Sequence, residues 1–219
     1  MGRHDVMTHR TPEEIDRMRK QFFNDSADGW MDAWYKDEKT GEYERHRKDF
    51  DRLFSNISLK PGDHVLDAGC GSGVLVPEIL SGITETGLLY ELDFAEKMIE
   101  ANRKLHPEKN VRFLVADAAN VPLETESCDA VICFSCFPHF HDKEGALREL
   151  ARVLKRGGHL AIAHFISSDE VRHHHASCHA VMHDHLPGES VMREMFRLAA
   201  LNIREFIDES GFYLILADK

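Results

Sequence analysis

The chain has 219 residues, 42% of them apolar, enough for one domain with a sizeable core. Its 38 acidic and 27 basic residues leave a formal net charge of −11, and the basic residues are scattered, which speaks against a surface built to neutralise phosphates. No apolar run approaches the ~20 residues of a membrane span, the polar start Met1-Gly2-Arg3-His4-Asp5 lacks the apolar stretch of a secretory signal, and the five cysteines read as free thiols. The expectation is a cytoplasmic protein, monomer or homodimer, with no nucleic-acid or membrane partner.

Thr11-Pro12-Glu13-Glu14 opens the first helix with a capping hydroxyl, proline at the first helical position and acids in the first turn. A second helical stretch covers residues 43–56, where Tyr43, Phe50, Leu53, Phe54 and Ile57 recur at helix-like spacing. Lys60-Pro61-Gly62 closes this region with turn chemistry. Residues 1–60 are therefore read as a helical cover, and 61–219 as the body of the same domain.

From residue 63 strands and helices alternate. Strands are expected at 64–67, 88–92, 111–115, 130–134 and 159–165, with helices over 73–81, 94–106 and 143–154. A further helix around 189–200 precedes two strand-like runs, Asn202–Ile207 and Phe212–Ala217, separated by Asp208-Glu209-Ser210-Gly211. The alternation implies an α/β fold: a mostly parallel seven-stranded sheet with helices on both faces and an antiparallel hairpin at its edge.

The first strand runs into Asp67-Ala68-Gly69-Cys70-Gly71-Ser72-Gly73. Glycines suit a sharp turn that lets a ligand approach the backbone, and amides opening the next helix face its polar end. Asp67 can accept hydrogen bonds or brace the loop, Asp93 can grip two ribose hydroxyls, and Asp117 is placed to accept from an adenine amino group. A nicotinamide-binding fingerprint has the form Gly-x-Gly-x-x-Gly, whereas glycines here alternate at 69, 71 and 73 and position 74 is valine.

With the segments Leu92–Met98, Asp117-Ala118 with Val121-Pro122-Leu123, Cys128–Val131 and Val153–Gly158 in order, residues 60–165 resemble the class I S-adenosylmethionine-dependent methyltransferases. Within these they are closer to the small type 11 group that includes quinone-biosynthesis enzymes. The resemblance implies a Rossmann-like three-layer sandwich, methyl transfer to a small-molecule acceptor, and S-adenosylmethionine as cofactor. It implies a binding set of Asp67, Gly69, Gly71, Gly73, Asp93, Phe94, Met98, Asp117 and Ala118.

A sulfonium is a reactive methyl donor, so such an enzyme must align a nucleophile and, where needed, take up a proton. After the fourth strand come Cys133, Cys136, His139 and His141; buried packing and metal or metalloid chemistry are both open for the two thiols. Residues 164–185 carry seven of the fifteen histidines. If 169–183 is helical, His175, His179 and His183 form one stripe suited to a transition metal such as zinc. His183-Asp184-His185-Leu186-Pro187 resembles a short motif of some type 11 members, and singles out His175, Asp184 and His185 as a base with its carboxylate orienter or as metal ligands. His164, ending the fifth strand, joins them as a catalytic candidate. Phe22-Phe23-Asn24-Asp25 with Trp30 and Trp34 resembles the family's N-terminal segment, whose aromatics line the cavity, and Tyr35 and Tyr43 are candidate bases or sulfonium contacts. Two readings stand: a small-molecule methyltransferase, possibly metal-assisted, its acceptor atom open among oxygen, nitrogen, carbon, sulfur and metalloid, and a metal-handling protein that keeps the fold with S-adenosylmethionine as ligand.

Overall fold

The computed structural model describes residues 11–41 and 46–219. Helix α1 (Pro12–Ser26) begins as its sequence dictates: Thr11 Oγ1 accepts from the Glu14 amide, and Glu14 Oε2 accepts from the Thr11 amide. A short helix α2 (Trp30–Trp34) follows, unforeseen in the sequence. Helix α3 (Arg47–Asn56) buries Phe50 and Leu53, as the spacing requires. Tyr43 lies outside the described residues.

The body alternates β1 (His64–Ala68), α4 (Val76–Ile83), β2 (Leu88–Asp93), α5 (Glu96–Leu105), β3 (Val111–Val115), β4 (Cys128–Phe134), α6 (Lys143–Val153) and β5 (Leu154–His164). After them come α7 (Ser168–His175), α8 (Glu189–Leu198), β6 (Asn202–Glu209) and β7 (Phe212–Asp218). The sheet order is β3-β2-β1-β4-β5-β7-β6, with β5/β7 and β7/β6 antiparallel and the other pairs parallel. The chain's reversal after β3 opens a switch point between β1 and β4, where α/β sheets of this kind take ligands. The hairpin forms as expected, and its second strand β7 is the inner one. That is why Phe212–Ala217 is a continuous buried run while β6 is partly exposed.

Two apolar clusters line the two faces of the sheet. One gathers α3 and α4 through Phe50, Leu53, Val76, Ile79 and Ile83, the other α6 and α8 through Leu147, Leu150, Met192 and Phe196. A third, smaller cluster joins Ala27, Phe23 and Trp30 of the cover to Ala95, Met98 and Phe94 at the start of α5. Among the described residues no helix is long and apolar enough to cross a membrane.

Two expectations are corrected. β5 starts at Leu154, ahead of the glycines, because Leu154 already pairs with Cys128 and Gly157 (φ +78°) takes up the register shift. The helix expected over 169–183 is only α7, ending at His175. Beyond it the chain reverses through successive tight turns, the amides of Cys178, Val181 and Asp184 bonding to the carbonyls of His175, Cys178 and Val181. This folds Asp184 back beside His175.

Candidate active site

At the carboxyl ends of β1, β2 and β4 the sheet opens into a cavity of about 620 Å³, roofed by α1 and α2. Its floor is the glycine turn. The amides of Gly69 and Cys70 bond to the Leu92 carbonyl (2.7 and 3.0 Å), tying the turn to the end of β2. All three glycines have positive φ, but for different neighbours. A Cβ on Gly69 would lie 2.5 Å from Cys136 Cβ, and one on Gly73 2.3 Å from Asn102 Oδ1. At Gly71 the nearest atom is Trp30 Nε1 at 3.9 Å, so this glycine faces the open cavity. Gly73 does not line the cavity; it makes room for the buried Asn102 that braces the turn from behind.

Asp67, Gly69, Gly71, Asp93, Phe94, Met98, Asp117 and Ala118 all line the one cavity. Asp67 is 1% exposed, and among the described residues neither of its carboxyl oxygens nor the buried Ser72 Oγ has a hydrogen-bond partner. Buried polar atoms are rarely orphaned, so these two fit a wall made for a polar ligand. Burial first, then Glu91, Cys133 and Asp93, raise the Asp67 carboxyl well above the usual carboxylate range. Asp93 is pushed by burial to about 6, against hydrogen bonds from the Ala95 and Gly71 amides (2.8 and 3.0 Å). Asp117, at the exposed end, accepts from the Ala119 amide at 2.7 Å.

His139, on a short 3-10 turn (Phe137–His139), lines the same cavity. Its Nδ1 lies 2.8 Å from Asp184 Oδ2. Arg19 of α1 grips the same carboxylate with a fork, Nε to Oδ2 at 2.9 Å and Nη2 to Oδ1 at 2.5 Å. Burial lowers His139 below the ordinary histidine range; the Asp184 carboxylate pulls it up, while His175 and Arg19 push it down. The rings of Phe23 and His175 flank it, with centroids 5.1 and 4.9 Å away.

The histidines singled out in the sequence fare differently. His175 is buried and its Nδ1 donates to the Asp184 carbonyl at 2.7 Å, so it braces the loop behind His139 and does not line the cavity. His164 is buried with Nε2 unpartnered; burial, then His139 and His175, hold it down to about 3, a neutral ring behind the wall. His185 is exposed and bonded through Nδ1 to the His183 carbonyl (2.9 Å). His179 and His183 are exposed as well, and with α7 ending at His175 the expected metal stripe does not form. Among the described residues no three His, Cys, Asp or Glu side chains gather as metal ligands do. Cys136 lines the cavity with its thiol donated to the Ala68 carbonyl (2.9 Å), and burial raises that thiol, so it is protonated packing; Cys133 is fully buried.

Sequence reading missed Arg19 and passed over His139. One signal for Arg19 was present: it is a cation among Ile15, Phe22 and Phe23 on the apolar stripe of an amphipathic helix. His139 had none beyond its place after the fourth strand.

Residues 66–162 match a family model described as a methyltransferase domain. The 27-O-demethylrifamycin SV methyltransferase of Amycolatopsis mediterranei is 30% identical over 73% of this chain and 61% of its own length. The demethylmenaquinone methyltransferase of Corynebacterium efficiens is 33% identical over 52% of this chain and 46% of its own length. The chain thus spans about half to three fifths of the curated relatives it matches. A solved S-adenosylmethionine-dependent methyltransferase from Aquifex aeolicus superposes with a TM-score of 0.66 at 20% identity, covering 95% of this chain and 98% of that one, a likeness of fold.

Proposed function

We propose that this chain, whose residues 66–162 match a methyltransferase-domain family model, is an S-adenosylmethionine-dependent methyltransferase that methylates a small molecule held beneath α1 and α2, with His139 as the base. The observation that carries the reading is that a single cavity is lined by the glycine turn, by Asp67, whose buried carboxyl has no partner among the described residues, and by His139. Asp67, Gly69, Gly71, Asp93, Phe94, Met98, Asp117 and Ala118 would hold S-adenosylmethionine, which supplies a methyl group on a sulfonium when bound.

The chain's own part is positioning and proton uptake. With its pKa lowered by burial, His139 is neutral at neutral pH. Its Nδ1–H donates to Asp184, which leaves Nε2 to accept a proton from an acceptor group in the cavity. Phe23, Trp30 and Phe140 wall that space and exclude water. The relatives' printed substrates, a demethylrifamycin and a demethylmenaquinone, are consistent with a small-molecule acceptor. The same reading takes the enzyme as cytoplasmic, a monomer or homodimer, without a nucleic-acid partner. The placement of His175, His179 and His183 lends no support to metal assistance or to a metal-handling role.

The test is formation of S-adenosylhomocysteine with pools of hydroxylated small molecules. Turnover is expected with at least one pool and should fall about 100-fold or more in His139→Gln. A protein that binds the donor yet yields no product with any pool overturns the reading.

A further inference from the structure

We propose that Arg19 is a positioning residue for His139: from the covering helix α1 it fixes the Asp184 carboxylate that orients the imidazole and supplies the positive charge that balances that carboxylate. The inference rests on the base assignment above and adds a residue that links the cover to it.

Arg19 is 5% exposed, and an arginine is seldom buried without a specific partner. Its fork spans both oxygens of Asp184, and its third nitrogen, Nη1, donates to Asp16 Oδ1 at 2.6 Å. Asp184 Oδ2 is the shared atom, taking Arg19 Nε at 2.9 Å and His139 Nδ1 at 2.8 Å. Arg19 thus aims the carboxylate so that one lone pair meets His139. This fixes the tautomer with the proton on Nδ1 and turns Nε2 away from Asp184.

The charge balance follows from the same contacts. A buried aspartate facing only a histidine draws a proton onto the imidazole, and an imidazolium cannot serve as a base. Arg19 supplies the positive charge that Asp184 demands, so the histidine need not. The other groups around His139 act in the same sense or lie farther off. His175 and His164 stand behind it on α7 and β5. Lys143 is tied to the Pro138 and Phe140 carbonyls of its own turn (2.8 and 2.9 Å). Asp16 and His141 face one another at 3.6 Å beyond Arg19. Burial is the main reason that His139 stays neutral, and the Arg19–Asp184 pair acts in the same sense by balancing the carboxylate that would otherwise draw a proton onto the ring.

The experiment compares wild type, Arg19→Gln, Arg19→Lys and Asp184→Asn. The His139 imidazole is titrated by nitrogen–proton NMR in the cofactor-free protein, and the acid limb of kcat/KM is measured alongside. Arg19→Gln should raise the His139 midpoint and move the acid limb up with it, so that turnover lost at pH 7 returns at higher pH. Arg19→Lys should restore the midpoint but not the fork, leaving kcat below wild type at every pH. Asp184→Asn should move the midpoint the opposite way, downward. A midpoint unchanged in Arg19→Gln overturns the proposal. So do shifts of Arg19→Gln and Asp184→Asn to one common value, since mere loosening of the site would release the ring in both. Should His139→Gln retain full turnover while Arg19→Gln still moves the His139 midpoint, the base assignment fails and the Arg19 coupling stands.

Discussion

At the residue scale, the part of the cavity around Asp67 carries an opposite electrostatic problem. The parallel register of β1 and β2 sets Asp67 directly opposite Glu91, both fully buried. Glu91 Oε2 accepts from Asn102 Nδ2 at 2.6 Å, while Oε1 has no partner. Burial, opposed by hydrogen bonds from Asn102 and Cys70 and reinforced by Asp93, leaves Glu91 raised to about 8. A carboxyl whose folded pKa lies above its unfolded value holds a proton that the unfolded chain releases. Its contribution to stability is full below pH 4.5 and is lost as pH rises through about 8. Glu91→Gln keeps the shape and an acceptor for Asn102 but removes this titration. The variant should show a flatter decline of Tm between pH 5 and 8 and be more stable than wild type at pH 8, by an amount on the order of a few kcal/mol. Thermal unfolding across that range checks it; parallel slopes in the two proteins would refute it.

At the scale of elements, strands and helices were legible because their apolar periods were clean. Val65–Leu66, Leu88–Leu92 and Val131–Phe134 are apolar runs bounded by turn chemistry, and Thr11 with Glu14 carries its own cap. That Asp67, Gly69, Gly71, Asp93 and Asp117 share one cavity was legible for a related reason: they follow strand ends in short segments whose geometry is local. The histidine-rich segment failed because spacing at i and i+4 records only what a helix would do if it continued. What stops α7 is a tertiary event, the bond between His175 and the Asp184 carbonyl, and a one-dimensional pattern does not contain it. The ion pair Arg19–Asp184 spans 165 positions and was invisible for the same reason. Since His179 and His183 are exposed, replacing both by alanine should change stability by no more than about 0.5 kcal/mol each and leave turnover unaltered. Calorimetry with an activity assay decides this. A loss of turnover restored by added zinc would reinstate the metal stripe.

At the scale of the whole molecule, the cavity is a joint product of the sheet and its cover. The sheet contributes the floor, but α1, α2 and the residue that follows α2 supply Lys20, Phe23, Trp30 and Tyr35 above it. Specific contacts hold the cover on. Lys20 pairs with Glu96 at 2.6 Å, Asn24 accepts from the Lys97 amide at 3.0 Å, Phe23 packs against Phe94 and Trp30, and Arg19 clasps Asp184. The Lys20–Glu96 pair is half-exposed and contributes little by itself, about 0–1 kcal/mol. With a large cavity beneath it, the cover is expected to open at lower free-energy cost than the sheet unfolds. A ligand in the cavity touches both layers, so it must stabilise the closed cover by mass action. At 100-fold excess over its Kd, S-adenosylhomocysteine should add about 2.7 kcal/mol and raise Tm by about 5–10 °C. Hydrogen exchange should slow in α1, α2 and the glycine turn, with β6 and β7 unchanged. Protection confined to the glycine turn, with α1 exchanging as in the free protein, would show that the cover does not close over the ligand and would separate donor binding from the Arg19–Asp184–His139 arrangement.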